Sequence, residues 1–324
     1  MILVNIVILL IGFVALIKGA DIFVDGSTGI AKIFHVSGLV IGLTIAAVGT
    51  SAPEFAVSTA AAIEGSNEIA ISNVIGSNLF NLLMVLGIGA CVRTLPVDES
   101  AIRRDFPLSI AAATVVFIVT GWATLPFGFM TKAMTEKNGT LVRPAAILLF
   151  VGYIIYIITL IIAAKNNPEE QESTEKISVL KCIVMIIVGA VLIVGGGEAV
   201  VDSAKYIASA MGLTETLIGL TVVAFGTSLP ELVTSLVAAK KGELGLAVGN
   251  ALGSNIFNMM VILGVSSTIS PIAVNTASLW DLLILITTSI LTWIFCIFGR
   301  SIKRGEGLIM ILCYVGTVVF AIMR

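Results

Sequence analysis

Two glutamates stand where acids are costly. Glu54 closes the hexapeptide Gly49-Thr50-Ser51-Ala52-Pro53-Glu54, and Glu231 closes Gly226-Thr227-Ser228-Leu229-Pro230-Glu231, 177 residues later. Each copy lies inside a long apolar run. An ionisable side chain within a membrane costs roughly 2.5–3.5 kcal/mol on the gentlest scale, so a duplicated one points to function. Beside each carboxylate stand two hydroxyls, Thr50 and Ser51 or Thr227 and Ser228. Hard oxygen ligands of this kind suit Ca²⁺ and Na⁺. Pro53 has no N–H for the Gly49 carbonyl, and glycine is a poor helix former, so the helix is predicted to break at 48–52. Pro230 and Gly226 repeat the device. The breaks free backbone carbonyls near Ala47 and Val48, and near Ala224 and Phe225, which lipid cannot satisfy and a cation can. A second polar set, Asn73, Ser77 and Asn81, falls at i, i+4 and i+8, and recurs as Asn250, Ser254 and Asn258. Its oxygens can complete the six to eight ligands of a calcium ion, which two glutamates alone cannot.

Other polar residues have plainer readings. Asn73, Asn250, Ser58 and Ser235 serve either the ion or only the bonding of one helix to another. Asp21, Asp25, Glu198 and Asp202 either line an entry path or sit at helix ends in water. His35 reads as a solvated residue after the first span, and Gly195-Gly196-Gly197 as helix packing rather than a nucleotide loop.

The elements that must hold these groups are membrane helices. Hydrophobic residues make up 58% of the chain and charged ones 12%, with a mean hydropathy of +1.11. Runs long enough to cross about 30 Å of hydrocarbon fall near 2–34, 38–63, 69–92, 106–126, 142–164, 177–210, 215–239, 244–269, 279–299 and 306–323. The expected fold is all-α, an integral membrane protein of ten spans, with the long first and sixth spans tilted or projecting. Residues 40–87 align without a gap on 217–264, with 23 identities in 48 positions, and Asp21 and Asp25 meet Glu198 and Asp202. Each repeat is therefore five spans long, 1–164 and 177–324, joined by a polar linker at 165–176. An odd number of spans makes the second repeat enter from the opposite face, so the two are inverted. Twelve basic residues, among them Lys32, Arg93, Arg103, Arg104, Lys240, Lys241 and Arg304, fall on one side of that topology. That side is expected to be cytoplasmic, linker included, with both termini extracellular across a cell membrane.

Several classes are excluded. A net charge of −2 offers no basic field for nucleic acid. Cys91, Cys182, Cys296 and Cys313 are scattered, without zinc or redox spacing. The first residues lack the basic start of a cleaved signal and read as a retained span. No G-x-x-x-x-G-K-S/T, H-E-x-x-H or G-x-S-x-G occurs, so nucleotide-driven pumping and hydrolysis are unsupported. The chain reads as a non-enzyme with no cofactor beyond the ions it moves, and its transport as secondary or passive.

The paired G-T-S-A/L-P-E and G-S-N-L/I-F-N segments resemble the two alpha repeats of the calcium/cation antiporter superfamily, in its sodium/calcium exchanger branch of prokaryotic type. The resemblance covers nearly the whole chain. It implies a ten-helix exchanger in which sodium entry drives calcium out, with Glu54 and Glu231 shared by both ions. It further implies Thr50 and Thr227 in the calcium site, Ser51, Ser77, Ser228 and Ser254 at flanking sodium sites, carbonyls from Ala47 and Ala224, and Asn81 and Asn258 facing the centre. The long first and sixth helices would slide across the rest. Asn258 departs from the Asp of potassium-dependent branches, and the T-S-x-P-E form departs from the proton-coupled branch. The short linker lacks the calcium-sensing domains of animal exchangers. Charge arithmetic agrees with exchange: two ionised glutamates neutralise one Ca²⁺, whereas three Na⁺ leave one positive charge over, so exchange would be electrogenic. The alternatives are a Ca²⁺/H⁺ or other divalent cation antiporter and, from another class, a passive cation channel.

Overall fold

Long proline-free apolar runs make the longest helices of the computed structural model, which describes residues 2–121, 130, 132–166, 178–211 and 224–324. Helix α1, Ile2–Phe34, has 33 residues. Its partner α7, Val179–Ala210, has 32. At 1.5 Å per residue each is about 50 Å long, well beyond the hydrocarbon thickness. They lie antiparallel, Gly12 beside Gly196 and Gly26 beside Cys182. A Cβ on Gly19 would stand 2.9 Å from the Gly189 carbonyl oxygen, so glycine is what permits this crossing. The outer faces of both helices, including Leu3, Val14, Leu180 and Val191, are exposed and apolar, as lipid contact requires.

The expected break is present. Helices α2, Gly38–Thr50, and α3, Ala52–Ile63, meet at Ser51 with a bend of 50°. Ser37 caps α2 by accepting the Val40 N–H at 3.2 Å, and Pro53 occupies the first turn of α3, where its missing N–H costs least. Helix α4, Glu68–Val92, follows, then α5, Phe106–Gly121, and α6, Arg143–Asn166. In the second half a turn at Ala224–Gly226 precedes α8, Leu229–Lys241, which again has its proline in the first turn. Gly242, at φ +88°, ends α8. Then come α9, Leu244–Ile269, α10, Thr276–Gly299, and α11, Arg304–Met323.

Among the described residues seven helices are each long and apolar enough to cross a bilayer, and the bent α2–α3 pair makes an eighth candidate. The end of the expected span at 106–126, the start of that at 215–239, and linker residues 167–176 lie outside the described residues. Lys165 and Asn166, expected in the linker, are the last residues of α6.

Two short antiparallel ladders tie loops together. Strand β1, Leu95–Pro96, pairs with β4, Ser301–Ile302, and β2, Lys137–Leu141, pairs with β3, Ile272–Asn275. At the centre lie α4 and α9, the second enclosed on all sides. The glycines of the two Gly-Ser-Asn segments, Gly76 and Gly253, are small enough to admit a neighbouring helix, and Gly253 does so, since a Cβ there would meet Leu43 Cα at 2.6 Å. Gly76 does not. It has open space in front and lines a cavity.

Candidate cation site

The breaks in the two halves bring both glutamates into one buried cluster. Glu54, Glu231, Thr50, Ser51, Ser228, Ser254, Asn81 and Asn258 are all fully buried, Ser77 nearly so, and Thr227 half-buried. Each glutamate is held by the serine of the other half. Ser51 Oγ donates to Glu231 Oε1 at 2.8 Å, and Ser228 Oγ donates to Glu54 Oε1 at 3.1 Å. Ser77 Oγ also donates to Glu54 Oε1 at 3.2 Å. The second oxygen of each acid, Oε2, has no partner, nor have Asn81 Oδ1 and Asn258 Oδ1. Four buried acceptors without donors would be costly in a finished core, and oxygens of this kind are ligands that hard cations accept. None of the ion pairs among the described residues includes either acid. Nor does any group of three or more His, Cys, Asp or Glu gather there. The site therefore sets two acidic side chains among neutral oxygens.

Local backbone geometry aims these groups. A wide π turn opens at Asn81 in α4, over Asn81–Val85, and another at Asn258 in α9, over Asn258–Ile262. Such turns inside α-helices favour functional sites. At the first break the Ala47 carbonyl, expected to be free, accepts the Ser51 N–H at 3.0 Å, which leaves one lone pair. Ala224 lies in the short turn ahead of α8.

The ambiguous amides have structural partners. Asn73 Nδ2 donates to Ser58 Oγ at 2.9 Å and the Glu54 carbonyl at 3.3 Å. Asn250 Nδ2 likewise donates to Ser235 Oγ at 3.0 Å and the Glu231 carbonyl at 3.4 Å. Both brace the helix turn that carries a glutamate. Asn250 also accepts the Thr50 hydroxyl at 3.1 Å.

The four outlying acids separate into two pairs. Glu198 and Asp202 line a cavity of about 780 Å³ that reaches Ser77, Thr227 and Pro53, with Glu68 also on its wall. Asp21 and Asp25 instead meet Lys241 at 2.7 and 2.6 Å. That lysine closes α8, and sequence reasoning gave it only a loop charge. His35 is an exposed turn residue at φ +51°. Gly196 packs against α1.

Long apolar helices around a buried cluster of oxygens define a polytopic, all-α membrane protein. The chain belongs to the sodium/calcium exchanger protein family, whose model matches residues 4–162 and 181–323. This is a family of transporters rather than enzymes, and membership makes the chain a cation/calcium antiporter. It is 33% identical to a putative antiporter, CaxA, of Alkalimonas amylolytica, over 97% of each chain. To the sodium/calcium exchanger MaX1 of Methanosarcina acetivorans it is 32% identical, over 98% of this chain and 99% of that one. A solved structure of the sodium-calcium exchanger NCX_Mj superposes with a TM-score of 0.82 at 30% identity, covering 98% of this chain and 99% of the other.

Proposed function

We propose that the protein exchanges Na⁺ for Ca²⁺ across a cell membrane by alternating access, with net movement of charge, and that Glu54 and Glu231 bind both ions in turn. The observation that carries this reading is the exchange of serines between the halves, Ser51 on Glu231 and Ser228 on Glu54, with the second oxygen of each acid left free. Thr50, Thr227, Asn81, Asn258 and the carbonyls of Ala47 and Ala224 complete the calcium shell. Ser51, Ser77, Ser228 and Ser254 flank it as sodium ligands. A hydroxyl that donates to a carboxylate in the absence of an ion can turn its lone pairs to Na⁺ when one arrives. Ten spans in two inverted repeats give the frame. The reciprocal bonding of Asn78 and Asn255, residues 177 apart, supports a two-fold relation between the halves. The paired strands join loops that charge counting assigns to the same face, and Arg324 meets Asp281 near the start of α10 on the face given to the C-terminus, which supports the ten-span order. The excess of basic residues on one side is what favours a cytoplasmic linker and extracellular termini.

The test is ⁴⁵Ca uptake into proteoliposomes loaded with sodium, compared with potassium, proton and no gradients. Uptake that requires outward sodium movement, and charges the vesicle accordingly, is the expected result. Uptake driven by a pH gradient without sodium would make the coupling ion a proton, and uptake without any counter-ion would make the protein a channel.

A further inference from the structure

Asn78 and Asn255 occupy the third position of the two Gly-Ser-Asn segments and were not among the expected ligands. Both are buried. Asn78 Nδ2 donates to the Asn255 carbonyl at 3.1 Å, and Asn255 Nδ2 donates to the Asn78 carbonyl at 3.2 Å. A carbonyl only accepts, so each side-chain amide is fixed with its nitrogen toward the partner's backbone and its oxygen turned away. The consequence falls on Asn258. Its Nδ2 donates to Asn78 Oδ1 at 3.0 Å and to Ser77 Oγ at 3.1 Å. With both amide hydrogens so engaged, Asn258 has only its oxygen left to offer, and that oxygen is buried without a partner. Ser77 in turn bonds Glu54, so the free amide oxygen belongs to the carboxylate cluster.

We propose that Asn78 is a positioning residue of the cation site: pinned by Asn255, it orients the Asn258 amide so that oxygen rather than NH₂ faces the ion. The inference rests on the reading of this cluster as a cation site. An amide turned over would present its hydrogens and repel a cation. The relay is one-sided. Asn255 Oδ1 has no partner, and Asn81 Nδ2 reaches only Ser77 Oγ, at 3.5 Å. Asn78 and Asn255 should therefore differ in effect although their sequence positions are equivalent.

Equilibrium ⁴⁵Ca binding to the purified full-length protein in lipid nanodiscs tests this, with thermal melting as a folding control. Asn78→Ala and Asn258→Ala are each expected to weaken binding about three- to tenfold. The double variant should lie within about twofold of Asn258→Ala alone, because Asn78 acts through Asn258. A purely structural role would instead multiply the two losses. Asn255→Ala should cost less than Asn78→Ala. Asn78→Asp keeps an oxygen for Asn258 at near-equal size while losing the donor to the Asn255 carbonyl, and it decides the point even where the alanine variant fails to fold: a loss clearly smaller than that of alanine supports the relay. Multiplying losses, wild-type binding by Asn78→Ala, or an Asn78→Asp loss as deep as that of alanine would each overturn it. Absence of binding by the wild type overturns the cation-site reading itself, and this inference with it.

Discussion

Glu54 and Glu231 each keep one oxygen bonded to a serine and one free, and this division sets the sharpest expectations. Removing one partner from a buried, charge-matched pair costs about 2–5 kcal/mol, roughly 30-fold or more in affinity. Glu54→Gln and Glu231→Gln are thus expected to abolish calcium flux in vesicles, and near-normal flux in both would remove the central claim. Ser51→Ala and Ser228→Ala each delete a hydroxyl bonded to a carboxylate, an interaction worth about 1.5–3 kcal/mol. Sodium titrations of exchange should shift several-fold to higher concentration in both variants, and equal shifts for calcium and sodium would argue against a sodium role. These residues were legible because duplication singles out costly acids and their hydroxyl neighbours. The Asn78–Asn255 bonds were not. Which way an amide points depends on a helix far along the chain, and no local pattern encodes it.

At the scale of elements, the bend between α2 and α3 follows from Gly49 and Pro53 and was readable as such, whereas the π turns at Asn81 and Asn258 carry no sequence mark. Such turns arise from packing around a helix rather than from the propensities of the residues in them. Alanine at 53 supplies the N–H donor that proline denies to the Gly49 carbonyl, so Pro53→Ala should hold or raise the melting temperature while weakening calcium binding. Loss of both together would mean that the break serves folding alone. The two motif glycines look alike in sequence and differ in space. Gly253 faces α2 at contact distance, so Gly253→Leu overpacks a core and should remove about 1–3 kcal/mol or more of stability. Gly76 faces the cavity beside Ser77. Gly76→Leu should leave melting unchanged and slow calcium entry, a contrast that thermal melts and initial flux rates can read side by side.

For the molecule as a whole, composition and the 177-residue repeat made the membrane fold legible, because lipid demands internally satisfied helices and the demand is written in hydropathy. The Lys241 link to Asp21 and Asp25 was not legible, since it joins α8 to α1 across most of the chain. Exchange that moves one net charge should respond to voltage by about 2.3 kcal/mol per 100 mV. Clamping the potential with potassium and valinomycin should therefore shift the calcium gradient reached at equilibrium, and no shift would make the exchange electroneutral. Helices α1 and α7 are in contact chiefly with each other along their glycine seam, and their outer faces are exposed and apolar, suited to lipid. Any displacement of that pair would shear acyl chains more than it would repack protein. Membrane viscosity then becomes a kinetic parameter of the transporter, and stiff, ordered lipids should slow turnover while leaving ion affinity untouched.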